Sequence, residues 1–274
     1  MAYTFFELEQ EGHVATLWLN NPDKRNAMNP DFWRELPIAM EALGADENVR
    51  AVVLAARGPH FTAGLDLKSM GGTISGGDTE EKTSDVVLRL RLHGSIRRFQ
   101  AAISAVADCP KPVIAAVQGY CIGGGIDLIT ACDVRLCSAD TVFSVRETRI
   151  AIVADVGTLQ RLPGIVGRGI AAELTLTGDD FGAERAQEIN LVNGVLADAS
   201  ATVKGAQAMA ARMAHNSPLA VQGTKQVLRY CEGKSVEDGL EYVATWNAGF
   251  LQSDDLREAM LAFLQKREAK FEGK

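Results

Sequence analysis

The sequence predicts an α/β protein whose C-terminal part is helical, and three observations support this prediction. Short apolar runs, typical of strands buried on both faces, occur at residues 51–56 (AVVLAA) and 113–117 (VIAAV). Each run leads through a glycine-containing turn into a helical pattern. From Leu159 onward helical patterns dominate, with glycine and proline breaks between them. Strands and helices therefore alternate in the first part of the chain, and helices follow.

The N-terminal elements are predicted as a β-hairpin and a helix. Residues 3–9 and 13–19 read as two strands around a Glu11-Gly12 turn. Asn29 is expected to cap the following helix, with Pro30 in its first position, where a missing N–H costs nothing. Its buried stripe consists of Phe32, Leu36, Met40 and Leu43.

The middle of the chain contains one long helix and several short elements. The glycine-rich residues 71–77 predict a loop that shapes a pocket. Residues 86–107 form a predicted amphipathic helix that ends before Pro110, because proline cannot continue a helix. Residues 126–132 predict a shorter helix, and residues 134–137 and 142–145 predict strands.

The last predicted helix begins near Ser253. Asp254 and Asp255 fall in its first turn, where negative charge is favourable against the helix dipole. An apolar stripe runs along this helix and must be buried, for example against a neighbouring subunit. The stripe consists of Leu256, Met260, Phe263 and Leu264.

Composition and charge exclude several classes of protein. The 274 residues include 28 basic and 35 acidic side chains, a formal charge of -7. A nucleic-acid-binding protein needs a basic surface, so this class is not predicted. An anionic small ligand remains possible, since a local basic patch can bind one. No stretch approaches the roughly eighteen apolar residues of a membrane span, so no membrane association is predicted.

The cysteines and histidines do not predict a metal site. The five cysteines form no C-x-x-C pair, and the four histidines have no H-E-x-x-H or other ligand spacing. Buried free thiols in a reducing compartment are the simplest interpretation. The N-terminal residues, which include Glu7 and Glu9, resemble neither a secretory signal nor a transit peptide, so we expect a cytoplasmic location.

Two segments share a design suited to binding a negatively charged oxygen. In each, an apolar strand precedes a glycine turn, FTAGLDL at residues 61–67 and GGG at residues 123–125. Such glycines let backbone N–H groups point into a cleft, and two converging N–H groups form an oxyanion hole. Either turn alone could instead serve tight packing. A dinucleotide loop is disfavoured, because the glycines lack G-x-G-x-x-G spacing.

Taken together, these segments resemble the crotonase (enoyl-CoA hydratase/isomerase) superfamily over nearly the whole chain. The matching segments are NNPDKRNAM at residues 20–28, FTAGLDL at 61–67, KPVIAAVQGYCIGGGIDL at 111–128, ACD at 131–133 and GTLQRLPGIVG at 157–167. The resemblance implies a crotonase-like spiral core (residues 1–198) with the active site. It also implies a C-terminal helical region (residues 199–274) that closes the pocket and forms a homotrimer or a dimer of trimers. By the same resemblance, Leu65 and Gly124 supply the oxyanion-hole N–H groups for a coenzyme A thioester.

Three carboxylates narrow the resemblance to the Δ3,5-Δ2,4-dienoyl-CoA isomerases of that family. Hydratases have glutamate where this chain has Asp127, and their second glutamate matches Glu147. Asp155 stands where typical hydratases have a small residue, whereas the dienoyl isomerases have carboxylates at all three positions. Shifting two double bonds requires a proton to leave C2 and another to arrive at C6, which one carboxylate cannot readily do. The resemblance implies Glu147 as the base at C2, Asp155 as the acid at C6, and Asp127 as a supporting residue.

Each carboxylate also has a structural interpretation. Asp127 could be an ordinary residue in the first turn of a helix, and Glu147 could pair with Arg146 or Arg149. Asp155 could cap a helix that begins near Val156. For the acid role, the surrounding residues 153–156 are expected to desolvate Asp155 and raise its pKa, which would favour its protonated form.

The resemblance also implies residues that bind the coenzyme A part of the substrate. Lys24 and Arg25 are candidates for its phosphates, although they could form a solvated surface, and Ala63 for its adenine pocket. Asp66 is more easily explained by loop geometry than by chemistry. The remaining candidates are Gly64, Leu67 and Gly125 in the two turns, and Phe263 and Lys266 on the last helix, in the latter case from a neighbouring subunit.

Two other functions remain open from the sequence. A 2-enoyl-CoA hydratase would activate water between Asp127 and Glu147, and a non-catalytic relative would only bind acyl-CoA. A pure binder gains little from several desolvated acids, which argues against the second alternative. No cofactor is predicted, because coenzyme A is part of the substrate.

Overall fold

A computed structural model describes residues 3–70 and 84–274 of the chain. Residues 71–83, which include the predicted glycine-rich loop, lie outside the described residues. The strands are β1 (Phe6–Glu11), β2 (Val14–Leu19), β3 (Ala51–Ala56), β4 (Val113–Val117), β5 (Tyr120–Ile122), β6 (Val134–Ser138), β7 (Val142–Ser144), β8 (Phe181–Gly182) and β9 (Gly194–Leu196). The helices are α1 (Pro30–Ala45), α2 (Asp85–Asp108), α3 (Gly124–Thr130), α4 (Thr158–Val166), α5 (Arg168–Thr177), α6 (Ala183–Glu188), α7 (Ala199–His215), α8 (Pro218–Tyr230), α9 (Val236–Phe250) and α10 (Asp254–Gln265).

The strands form two sheets. The larger sheet has the order β1-β2-β3-β4-β6-β9, in which β1 is antiparallel to β2 and the other pairs are parallel. The smaller sheet has the order β5-β7-β8. Every residue of β2, β3 and β4 is buried, as expected for strands covered on both faces. The continuous apolar runs of the sequence therefore correspond to the centre of the larger sheet.

The helix α7 covers one face of the larger sheet. Its Ala206 and Ala210 pack with Val53 and Ile114 in an apolar cluster that is separate from the main core. The small side chains let this helix approach the sheet closely. The helix begins at Ala199, the start of the predicted C-terminal region, and covers the central strands of the sheet. The division of the chain into two domains stays a prediction.

The predicted hairpin is present, but its first strand begins three residues later than predicted. The N–H groups of Thr4 and Phe5 donate hydrogen bonds to the carboxylate of Glu35 on α1, at 3.0 and 2.8 Å, instead of pairing with a strand. The turn falls at Gly12, whose φ of +55° favours glycine. The early part of the predicted strand is thus held by a buried acid of the neighbouring helix.

The predicted helix starts are largely confirmed. The side chain of Asn29 accepts a hydrogen bond from Phe32 N at 3.0 Å, and Ser253 caps α10 in the same way. The helix predicted at residues 126–132 instead begins at Gly124, because the chain turns at Gly123 with a φ of +53°. It ends at Thr130, so Cys132 lies beyond it.

The apolar stripe of α10 is not buried within one chain. Met260, Phe263 and Leu264 are 61%, 83% and 75% exposed. The burial of this stripe, for example against a neighbouring subunit, stays a prediction. Among the described residues, no helix has both the length and the apolar character needed to cross a membrane.

Candidate active site

The first glycine turn is fixed between the N-terminal loop and β5. Thr62 N donates a hydrogen bond to Tyr120 O at 2.9 Å, and Ile122 N donates one to Thr62 O at 3.2 Å. On the other side, Met28 N donates to Gly64 O at 2.8 Å. These bonds place residues 61–67 beside the second glycine turn, as the sequence design predicts.

The two glycine turns approach each other at Gly64 and Gly124. Gly64 has a φ of +85°, and a Cβ atom there would lie 3.7 Å from Gly124 N. Within the described part of the chain, neither Leu65 N nor Gly124 N donates a hydrogen bond. Gly124 is the first residue of α3, where N–H groups have no partner within the helix. Two neighbouring N–H groups are therefore available to a ligand oxygen.

Replacing Gly64 with alanine is expected to be strongly destabilising and to abolish binding at the turn. The added Cβ would lie 2.7 Å from the backbone oxygen of Ile122, and the positive φ adds strain of about 1 kcal/mol or more. Gly12→Ala is a matched control, because Gly12 also has a positive φ but no atom within 4 Å of its Cβ position. Urea unfolding should show a clearly larger loss for Gly64→Ala. Equal losses would contradict the close approach of the two turns.

Asp127 lies on α3 and is 1% exposed. Its Oδ1 accepts a hydrogen bond from Thr158 N at 2.6 Å, so it caps the first residue of α4. Its Oδ2 has no hydrogen-bond partner among residues 3–70 and 84–274. Burial raises the pKa of Asp127 to about 6, although the Thr158 N–H favours the ionised form. Asp127 does lie in the first turn of α3, as the structural interpretation has it, and it also binds the start of α4.

Glu147 lies in a short 3₁₀ helix, Glu147–Ile150, that follows β7. Its Oε1 would be 3.4 Å from a Cβ atom at Gly123, so the carboxylate lies over the second glycine turn. Burial, followed by the charge of Asp127, raises the pKa of Glu147 to about 7. Its Oε2 is buried and has no partner in the described part of the chain.

The arginines on either side of Glu147 do not neutralise it. Arg146 forms an ion pair with Asp180, and Arg149 forms one with Asp179. The interpretation of Glu147 as half of a surface ion pair is therefore wrong. The two pairs anchor the Glu147 segment to the loop after α5 and leave its carboxylate available.

Asp155 lies in the loop of residues 151–157 that leads to α4, and we call this segment the Asp155 loop. Burial raises the pKa of Asp155 above its ordinary value. Ala154 and Val156 are buried as expected, but Val153 is 73% exposed, so it does not desolvate Asp155 within one chain. The helix begins at Thr158 with Gly157 at its N-cap, so Asp155 is not a helix cap.

The candidate phosphate-binding residues are beside the first glycine turn. Lys24 and Arg25 are exposed, and Arg25 O accepts a hydrogen bond from Ala63 N at 3.0 Å. Asp66 Oδ1 accepts hydrogen bonds from Lys68 N and Ser69 N at 3.1 and 3.2 Å. Burial would raise the pKa of Asp66, but these N–H groups hold it below its ordinary value. Asp66 therefore fixes the loop geometry.

The other proposed coenzyme A contacts differ in their surroundings. Gly125 is buried, and a Cβ atom there would lie 2.7 Å from Thr62 Cγ2, so it permits packing between the turns. Leu67 is 51% exposed at the edge of the site. Phe263 is exposed on α10, whereas Lys266 is exposed at the C-cap just after this helix, which corrects its predicted place on the helix. No hydrogen bond joins either residue to the glycine turns in the described residues.

Sequence reasoning missed several residues that support the three carboxylates. Gln100 Nε2 on α2 donates a hydrogen bond to Asp155 O at 2.7 Å, and Arg161 donates one to Ser104 Oγ at 3.1 Å. Arg161 is part of the GTLQRLPGIVG motif, so the sequence indicated that this segment matters. The contacts of Arg161 could not be predicted, because they join residues that are far apart in sequence. Gln100 and Ser104 had no signal beyond their place on a long helix.

Comparisons with known proteins identify the family. Residues 9–274 match the family model described as enoyl-CoA hydratase/isomerase. The crystal structure of an enoyl-CoA hydratase from Bacillus anthracis superimposes with a TM-score of 0.88 at 28% identity, and covers 99% of this chain and 100% of that chain. The chain belongs to the enoyl-CoA hydratase/isomerase family, is an enzyme, and has the predicted crotonase-like fold.

Within the family, the chain is similar to proteins named as dienoyl-CoA isomerases. The peroxisomal Δ(3,5)-Δ(2,4)-dienoyl-CoA isomerase of Arabidopsis thaliana is 45% identical over 264 residues, which cover 95% of this chain and 93% of the relative. The mitochondrial enzyme of that name from Rattus norvegicus is 42% identical over 261 residues, which cover 94% of this chain and 78% of the relative. The predicted resemblance is confirmed.

Proposed function

We propose that this enzyme converts 3,5-dienoyl-CoA to 2,4-dienoyl-CoA. The observation that carries the proposal is the grouping of Asp127, Glu147 and Asp155, which we call the carboxylate cluster. Each has a raised pKa, and Glu147 lies over the second glycine turn, which offers the free N–H of Gly124. The names of the dienoyl-CoA isomerase relatives support the same substrate class.

The proposed reaction moves one proton at each end of the diene. Glu147 takes a proton from C2, and the electron pair of the broken C–H bond shifts through C3 and C5 toward C6. The charge on the thioester oxygen is stabilised by Leu65 N–H and Gly124 N–H, each worth roughly 3 to 4 kcal/mol in the transition state. Asp155 gives its proton to C6, which leaves double bonds at C2 and C4. Proton exchange with solvent then restores both carboxyl groups.

Raised pKa values suit these two tasks. An acid must be protonated near neutral pH, and burial of Asp155 favours that form. A pKa of about 7 lets Glu147 be ionised in a substantial fraction of molecules while it remains a good base. Asp127 is assigned a supporting role, because one oxygen already accepts the Thr158 N–H bond.

We further propose that the loop of Lys24 and Arg25 binds the coenzyme A phosphates and that Ala63 borders the adenine. Phe263 and Lys266 would add contacts from a neighbouring subunit of a homotrimer or a dimer of trimers. The exposed stripe of α10 supports this arrangement. The reaction as written needs no cofactor besides the coenzyme A of the substrate. A cytoplasmic location stays a proposal, since relatives are named as peroxisomal or mitochondrial.

A 2-enoyl-CoA hydratase is the second candidate, and the electrostatic coupling of Asp127 to Glu147 favours it. Incubation of the purified enzyme with 3,5-dienoyl-CoA and with 2-enoyl-CoA in separate reactions distinguishes the two. We expect the ultraviolet absorbance of a conjugated 2,4-dienoyl thioester from the first substrate. Hydration of the second substrate alone would support the hydratase, and no reaction with either would indicate an acyl-CoA binder.

A further inference from the structure

Arg161 brings a guanidinium to the edge of the carboxylate cluster. Its Nη2 donates a hydrogen bond to Ser104 Oγ at 3.1 Å, whereas its Nη1 is buried and has no partner in the described part of the chain. A Cβ atom at Gly157 would lie 1.8 Å from Nη1. The guanidinium therefore occupies the space that any other residue at position 157 would fill.

The helix α2 holds both ends of the segment between Asp155 and Arg161. Gln100 and Ser104 are four residues apart, so they lie on the same face of the helix. Gln100 binds the backbone oxygen of Asp155, and Ser104 binds the guanidinium of Arg161. The position of the guanidinium is thus set by the same helix that positions the Asp155 loop.

The other titratable groups around Asp127 are two carboxyl groups and one thiol. In the residues that the structure describes, Glu147 reaches it from the segment after β7, Asp155 from the loop before α4, and Cys121 from β5. Arg161 is the cation whose charge favours the ionised form of Asp127. The two side chains approach the same turn without forming an ion pair, because Asp127 accepts the N–H of Thr158 while Arg161 covers Gly157.

We propose that Arg161 is a positioning residue for the carboxylate cluster, acting through the positive charge of its half-buried side chain beside the Gly157-Thr158 turn. The charge opposes the protonation of Asp127, which burial and the charge of Asp155 favour. An ionised Asp127 binds the Thr158 N–H more strongly than a neutral one does, since hydrogen bonds to a charged acceptor are about twice as strong. Arg161 therefore fixes the start of α4 and, with it, the Asp155 loop.

This role deepens the proposed isomerase function and rests on it for its catalytic consequence. If Asp127 became neutral, the turn at residues 157–158 would be held less tightly. The carboxyl group of Asp155 would then lie within reach of C6 in a smaller fraction of molecules. The consequence should appear in kcat more than in KM, because Arg161 makes no hydrogen bond to the loop of Lys24 and Arg25 or to the glycine turns in the described part of the chain.

The test compares Arg161→Met, which removes the charge but keeps a long side chain, with Arg161→Lys, which keeps the charge. We measure the titration of Asp127 by ¹³C NMR of labelled aspartate carboxyl groups, assigned with Asp127→Asn. In Arg161→Met, the pKa of Asp127 should rise by about one, a tenfold change in its ionisation equilibrium. The lysine variant should retain most of the original value.

Kinetics supply the second readout. At about pH 6, Arg161→Met should lower kcat about fivefold, in step with the ionised fraction of Asp127, and change KM less than about twofold, while Arg161→Lys recovers most of the loss. Arg168→Met, which removes an exposed arginine at the start of α5, is the control and should leave kcat unchanged.

An unchanged Asp127 titration in folded Arg161→Met, or the same change in the lysine variant, would overturn the proposal. If Arg161→Met does not fold, the same titration is measured on Ser104→Ala, because this substitution removes only the hydrogen bond to the guanidinium. A smaller rise in the pKa of Asp127 then supports the proposal, and no change overturns it. Failure of the isomerase function is recognised separately, since wild type would then form no 2,4-dienoyl-CoA while the NMR titrations remain readable.

Discussion

Replacing Glu147 with glutamine is expected to lower kcat for 2,4-dienoyl-CoA formation by about 10²- to 10⁴-fold, because a glutamine amide cannot accept the C2 proton. The substitution keeps the size of the side chain, and Gly123 leaves room for it. Binding should change little, since the coenzyme A loop and the two free N–H groups are untouched. The loss should therefore appear in kcat rather than in KM.

The same substitution should stabilise the fold above neutral pH. The pKa of Glu147 in the folded enzyme is about 7 against an ordinary value of 4.5, so the folded state binds more protons than the unfolded state between these values. Stability then falls as pH rises through this window and is not regained above it. The difference corresponds to about 3 kcal/mol, which Glu147→Gln should recover in part or in full at about pH 8.

Urea unfolding at about pH 4 and about pH 8, together with initial rates, measures both effects. Glu41→Gln is a suitable control, because Glu41 is exposed on α1 and makes no hydrogen bond or ion pair with the residues that the structure describes. A fully active Glu147→Gln enzyme would contradict the assignment of the base. A variant that is inactive but less stable than wild type at the higher pH would contradict the desolvated state of Glu147.

The parts of the fold that depend on residues close together in the sequence could be predicted from the sequence. The strand at Ala51–Ala56 has the predicted limits, because polar residues on both sides of the apolar run mark where the strand begins and ends. Asn29 and Ser253 cap the predicted helices, since a cap involves residues only three apart. The glycine turns were found because their spacing is local and specific.

Contacts between distant residues could not be predicted in this way. Thr4 and Phe5 bind Glu35 instead of extending β1, and nothing in the alternation of residues 3–9 indicates a buried acid on α1. Likewise, Arg146 and Arg149 appeared to be partners for Glu147, but Asp180 and Asp179 follow α5 and compete for them. The identity of a partner depends on which segments the fold brings together.

The carboxylate cluster could be predicted from the sequence only in part. Resemblance to a family selected Asp127, Glu147 and Asp155, although they come from a helix, a 3₁₀ turn and a loop. The sequence could not show that Asp127 caps α4, because Asp127 and Thr158 are 31 residues apart. Nor could it show that Gln100 holds the backbone of the Asp155 loop.

Replacing Asp155 with asparagine is expected to lower the rate of 2,4-dienoyl-CoA formation by about 10²- to 10⁴-fold while leaving proton removal at C2 intact. Asparagine has nearly the same shape but carries no acidic proton for C6. The anchor of the loop should survive, because Gln100 binds the backbone oxygen of Asp155 rather than its side chain. The variant should therefore fold and bind substrate normally.

Exchange of the C2 hydrogen in D₂O separates the two carboxylates. Asp155→Asn should incorporate deuterium at C2 of 3,5-dienoyl-CoA without forming the conjugated product, because Glu147 still removes and returns a proton. Glu147→Gln should show neither exchange nor product. Asp108→Asn is the control, since Asp108 forms an exposed ion pair with Arg229 that contributes little. Wild-type product formation by Asp155→Asn would rule out its role as the acid, whereas loss of exchange together with product would mean that Asp155 also acts at C2.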